Sequence, residues 1–105
     1  RRAWHVTGGE IPLLVTENGR CSADDTRRIA YVHESLTGVL AAIADGVDVR
    51  GYTYWSLLDN FEWSLGYAPR FGLVDVDRTT FARTPKPSAR WLGEIARANA
   101  LLPMP

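Results

Sequence analysis

The apolar positions of this chain fall into one uninterrupted run, one helical stripe and one β-branched, aromatic run. Together they set out its architecture. Ile11 to Val15 places four large apolar residues in five positions with no polar interruption, which predicts a short strand buried on both faces, with Pro12 near its start. Thr16 and Glu17 break the run. Asn18-Gly19 then reads as a turn dipeptide that tolerates positive φ, so the chain should reverse just past the Glu17 carboxylate.

A helix is expected next, capped by Ser22 or Asp24, with Asp25 in its first turn where it favours the helix dipole. Ile29, Val32, Leu36, Val39 or Leu40, and Ile43 recur at helical spacing and give one stripe for packing on a sheet, and Gly46 ends the helix. Val47 to Leu58 is rich in β-branched and aromatic residues and predicts a second strand, with Gly51 marking a bulge or a close backbone approach. Strand, helix, strand is a βαβ unit. Its crossover is almost always right-handed, so the two strands run parallel and their C-terminal tips lie together. Glu17 and the segment Asp59 to Trp63 therefore arrive on one face, where α/β folds place their chemistry.

The flanks complete an α/β reading. Arg1 to Val6 looks like the end of a helix closed by Gly8-Gly9. Phe71 to Asp77 and Thr80 to Arg83 flank a polar turn and predict a hairpin, which Pro85 and Pro87 stop. Pro87 suits the first turn of a last helix running to about Asn99, with Leu92, Ile95, Ala96 and Asn99 on its inner face. The closing LLPMP reads as a fraying tail.

Composition removes several classes of function. The chain has 105 residues, 46% of them hydrophobic, enough for one small core. Twelve basic and twelve acidic residues cancel with no basic block, so neither a nucleic-acid partner nor a polybasic membrane surface is expected. No apolar run approaches the ~20 residues of a membrane span, and the N-terminal stretch lacks the apolar core of a signal peptide. Cys21 is the sole cysteine, which rules out an intrachain disulfide, mildly favours a reducing, cytoplasmic setting, and reads as a spectator thiol. His5 and His33 read as ordinary surface or interface residues, and no metal-ligand spacing occurs, so neither a metal nor a cofactor is expected.

Two acids at neighbouring strand tips are the groups a glycosidase uses, one to attack or to activate water and one to protonate the leaving group. On residues alone, Glu17 and Glu62 form the obvious pair. The TENG that follows the apolar run, together with WSLLDNFEW at Trp55 to Trp63, RFGLVDVD and RTPKPSARW, resembles glycoside hydrolase family 1, the β-glucosidase family, over nearly the whole chain.

The resemblance implies a C-terminal fragment, residues 1–105, of a single catalytic domain: the last quarter of a (β/α)8 barrel, strands seven and eight with their helices. It implies a retaining β-glycosidase of β-glucosidase type, with Glu17 attacking the anomeric carbon. It also reassigns Glu62. The family's general acid lies in an Asn-Glu-Pro context that this chain lacks, whereas the residue matching Glu62 accepts hydrogen bonds from sugar hydroxyls at the 4- and 6-positions of the glycone. A carboxylate suits that task because it accepts two hydroxyl donors in a planar fork. Trp63 matches the residue whose indole N–H donates to a sugar hydroxyl, Trp55 the one whose ring lies against the sugar's apolar face, and Phe71 one that helps wall the glycone pocket. Arg70 could pair with Glu17, Glu62 or Asp59.

The expected substrate is a β-glucoside or small oligosaccharide. The acid/base partner would stand roughly 5 Å from Glu17 on other strands, so the isolated chain is expected to be inactive and to need the rest of the barrel. Two rival readings differ in class: a non-catalytic sugar-binding remnant, and a structural βαβ module that requires a partner chain.

Overall fold

A computed structural model describes all of residues 1–105. Its elements in chain order are helix α1 (Arg2–Val6), strand β1 (Leu13–Asn18), helix α2 (Asp25–Ala44), strand β2 (Val49–Tyr54), a one-turn 3-10 helix (Trp63–Leu65), strands β3 (Val74–Val76) and β4 (Arg83–Pro85), and helix α3 (Pro87–Ala98). The predicted βαβ unit is present, with β1 and β2 paired in parallel across α2. β3 and β4 form the antiparallel hairpin, in which Pro85 ends the second strand opposite Val74. The Asp77 carboxylate closes its turn by accepting the N–H groups of Thr79 and Thr80 at 2.8 and 2.7 Å.

Local chemistry accounts for the helix limits. Asp24 caps α2 by accepting the Thr26 N–H at 3.0 Å, and Ser22 in turn supports the Asp24 backbone. Gly46, at φ 89°, takes the chain out of the helix. Pro87 opens α3 and Asn99, in the left-handed conformation, closes it.

The core is a cluster of Ile29 and Val32 from α2, Tyr54 from β2, Leu73, and Trp91 and Ile95 from α3. It fills the angle between the two long helices and the end of β2. Two expectations fail here. The stripe on α2 is buried only in its first half, since Leu40 and Ile43 remain 48% and 44% exposed. The closing LLPMP is held down, because the buried Trp91 indole donates to the Pro103 carbonyl at 2.9 Å while Leu101 and Leu102 pack on the core.

β1 departs furthest from expectation. It starts at Leu13 rather than Ile11 and is not buried on both faces: Leu14 is 65% exposed, and Ile11, just before the strand, 56%, because β1 is hydrogen-bonded on one edge only. The chain as a whole carries 7144 Å² of accessible surface, where a compact monomer of this mass has roughly 5,900 Å². Its radius of gyration is 15.5 Å against an expected ~13 Å. The chain is elongated, 50 × 32 × 19 Å, and leaves apolar side chains of the strand β1, the Asp59–Tyr67 loop and α1 exposed. Expressed alone, these 105 residues are therefore expected to self-associate and to unfold over a broad urea range, with a slope under ~1 kcal/mol/M. Sedimentation and urea titration check this, and a sharp unfolding transition of a monomer would contradict it.

Candidate active site

Glu17 is the next-to-last residue of β1 and is exposed. Its direction comes from an irregularity in the sheet. Val15 pairs with Tyr52 and Asn18 with Tyr54, so three steps along β1 match two along β2, as at a β-bulge. Strict alternation would put Glu17 on the same side as Val15. With the extra residue, Thr16 and Glu17 both face solvent and Asn18 turns inward.

Asn18-Gly19 is thus not the reversing turn expected of it. Asn18 ends the strand, and neither residue has positive φ. The Asn18 carbonyl accepts the Trp55 N–H at 3.0 Å, while its side chain donates to the Tyr31 hydroxyl at 3.1 Å and accepts from the Tyr52 hydroxyl at 2.7 Å. Gly19 serves close approach, since a Cβ there would lie 1.9 Å from the Trp55 carbonyl oxygen. Burial, reinforced by Tyr31 and Tyr54, pushes the Tyr52 phenol up to about 12, which keeps it a neutral donor to Asn18.

The two strand tips therefore meet, placing Trp55 beside the end of the Glu17 strand. Trp55 is 40% exposed and its peptide bond to Ser56 is cis. Phe71 is partly buried next to the same tip, where its carbonyl accepts the buried Tyr54 hydroxyl at 2.9 Å. Glu62 and Trp63 lie in the loop between β2 and β3. Glu62 precedes the 3-10 turn and is half-buried; Trp63, at φ 47°, is 83% exposed. No hydrogen bond or ion pair joins the Glu17 carboxylate to Glu62, Trp63 or Arg70. A cavity of about 240 Å³ among Leu36, Tyr52, Leu92 and Ile95 is an open apolar groove that none of Glu17, Trp55, Glu62, Trp63 and Phe71 lines.

Asp59 lies at the root of the Glu62 loop, where the sequence offered only a candidate partner for Arg70. Its carboxylate is 2% exposed and accepts from the Gly72 N–H at 2.7 Å, from Lys86 at 2.8 Å and from Arg70 at 3.4 Å. Arg70 also pairs with Asp75 at 2.8 Å, so of the three acids weighed for it the structure selects Asp59. Burial acts to raise the Asp59 carboxyl, but Lys86, the Gly72 N–H and Arg70 together outweigh it and hold the group below its ordinary value. Cys21 is exposed, and its sulfur receives the Arg70 N–H at 3.4 Å. No three His, Cys, Asp or Glu side chains converge as metal ligands would.

A parallel βαβ unit with a bulged acid at one tip and an exposed tryptophan at the other has the parts of a carbohydrate-active barrel segment. The chain belongs to glycosyl hydrolase family 1, whose family model matches residues 6–101. It is 48% identical over 100 residues to beta-glucosidase 42 of Arabidopsis thaliana, covering 84% of this chain and 20% of that protein. It is 46% identical over 101 residues to probable inactive beta-glucosidase 14 of Oryza sativa subsp. japonica, covering 86% and 20%. Among solved structures, that of beta-glycosidase BGL167 superposes with a TM-score of 0.90 at 55% identity, covering all of this chain and 25% of that one. The chain spans about a fifth of the length of the curated relatives it matches. It is a partial piece of a (β/α)8 barrel.

The depressed Asp59 sets a pH dependence. The unfolded carboxyl binds its proton more readily than the folded one, so this contribution to stability is complete above the ordinary value of 3.8 and is lost as pH falls through the lower folded value. In the full-length protein, the stability difference between the wild type and Asp59→Asn should be constant above the ordinary value of 3.8 and should shrink steadily as pH falls below it. Parallel curves would contradict the assignment.

Proposed function

We propose that this chain supplies strands seven and eight, β1 and β2, of the (β/α)8 catalytic domain of a retaining β-glycosidase of β-glucosidase type. The observation that carries the reading is Glu17 in its TENG context, turned to solvent by the bulge at the C-terminal end of a parallel strand. The Glu17 carboxylate attacks the anomeric carbon and forms a glycosyl ester as the glycosidic C–O bond breaks. The leaving oxygen takes its proton from an acid/base carboxyl on another strand, which then deprotonates the water that releases the sugar. Trp55 lies against the sugar's apolar face, Glu62 and Trp63 read its hydroxyls, and Phe71 walls the pocket. With no acid/base partner among these residues, the isolated chain does not turn over. The lone Cys21 suits a reducing, cytoplasmic setting.

One observation favours a second reading, a non-catalytic sugar-binding protein. A relative of 46% identity over this segment bears the name of a probable inactive enzyme. The two readings separate on Glu17. In the full-length protein, Glu17→Gly should abolish hydrolysis of an aryl β-glucoside, and added azide should restore cleavage as an inverted glycosyl azide. Turnover by Glu17→Gly without azide at the wild-type rate would remove Glu17 as nucleophile, and a wild-type protein that binds glucosides without cleaving them would establish the second reading.

Glu62→Gln tests the binding role. It should slow activated aryl glucosides and unactivated disaccharides about equally, by about 1.5 to 3 kcal/mol, and should shift the preference between glucosides and galactosides. Kinetics on an aryl glucoside, a disaccharide and an aryl galactoside decide, because selective loss with poor leaving groups would make Glu62 a proton donor instead.

A further inference from the structure

The loop from Asp59 to Tyr67, which carries the carboxylate proposed to read the sugar, contributes no residue to the core of residues 1–105. Phe61 is 59%, Trp63 83%, Leu65 65% and Tyr67 55% exposed within residues 1–105, so burial against this segment's own core does little to fix its shape. Within it, the Glu62 N–H donates to the Gly66 carbonyl at 2.7 Å and the Leu65 N–H to the Glu62 carbonyl at 2.9 Å. These bonds shape the turn around Glu62 but do not hold it against the rest of the chain.

One side chain from outside joins both ends of this loop. Arg78, in the exposed turn between β3 and β4, donates to the Asp59 carbonyl, and its guanidinium lies 4.3 Å from the centroid of the Tyr67 ring. Tyr67 in turn meets Phe61, the residue before Glu62, edge to face at 5.4 Å. The planar guanidinium can do both at once, because an edge N–H donates to the carbonyl while the face covers the ring. The start of the loop is already fixed through the Asp59 carboxylate by Gly72, Lys86 and Arg70. Arg78 extends that fixed point to the far end of the loop.

We infer that Arg78 is a positioning residue for glycone recognition: by strapping Tyr67 to the Asp59 carbonyl it sets where Glu62 presents its carboxylate. This rests on the role proposed for Glu62 and adds a residue that touches no sugar. A charged hydrogen bond and an exposed cation–π contact make it a modest effect, and one that falls on binding more than on the chemical step.

The test uses the full-length protein with aryl β-glucoside and aryl β-galactoside. Arg78→Ala should raise KM for the glucoside roughly five- to tenfold, leave kcat within about twofold, and move the glucoside-to-galactoside ratio in the direction that Glu62→Gln moves it. Arg78→Lys should recover only part of the loss, since an ammonium keeps the charge but cannot bond the carbonyl and cover the ring together. In a Glu62→Gln background, Arg78→Ala should cost little more, the signature of two residues acting through one contact. Tyr67→Leu, which removes the ring and spares the guanidinium, should reproduce the KM effect.

Equal effects of Arg78→Ala in the two backgrounds, or an unchanged KM, would overturn the inference while leaving the role of Glu62 intact. A Glu62→Gln enzyme with wild-type sugar preference would instead overturn the role of Glu62, and the inference with it.

Discussion

A buried guanidinium holds this chain together. Arg28, on the first turn of α2 with its side chain fully out of solvent, donates to the Asp25 carboxylate, to the Ser22 carbonyl and, at 2.6 Å, to the Arg70 carbonyl. Asp25 also accepts the N–H and the hydroxyl of Ser88, both at 2.8 Å, at the start of α3. One ion pair thus joins the loop after β1, both long helices and the segment leading into Phe71. A buried pair of this kind is weak evidence of net stability, but loss of either partner strands a charge and costs about 3 to 5 kcal/mol. Its worth here lies in geometry. Three pieces of chain far apart in sequence are fixed around a single planar group, and the strand tips stand above it.

From that frame the candidate site divides in two. Glu17 lies in β1, and the Asn18 and Tyr54 bonds hold Trp55, just past β2, and Phe71, in the loop before β3, at the strand tips. Glu62 and Trp63 ride on a loop held through Asp59. The nucleophile proposed for the reaction is thus on a paired strand, and the two groups proposed to read the sugar's hydroxyls are on a tethered loop. Such a division lets loop contacts alter selectivity without displacing the reacting carboxylate.

The order of elements, the parallel pairing, the cap of α2 down to a choice between Ser22 and Asp24, and the limits of α3 were legible in the sequence, because each rests on local chemistry: periodicity, capping and proline. What escaped was non-local. Burial of Ile11 and Leu14 on both faces presumes neighbours on both sides, and nothing in an apolar run says whether they are there. Trp91 capturing the Pro103 carbonyl is a contact across a chain reversal, and no rule for tails foresees it. The Asn18-Gly19 dipeptide carries a strong turn signal, yet its small glycine is used for close approach. The bulge that aims Glu17 has no sequence signature at Thr16. The roles of Trp55, Glu62, Trp63 and Phe71 came from resemblance, with the residues alone pointing to a different pairing of acids.

The contact between Gly19 and the Trp55 carbonyl bears on how mutational data from this segment should be read. Any side chain at position 19 must displace backbone, and the backbone it displaces carries Trp55 on one strand and follows Glu17 on the other. If Glu17 reacts as proposed, a substitution there would imitate its loss through the backbone alone. In a saturation scan scored by turnover, position 19 would rank with the carboxylates, and its intolerance would report the spacing between two main chains rather than any step of glycoside chemistry.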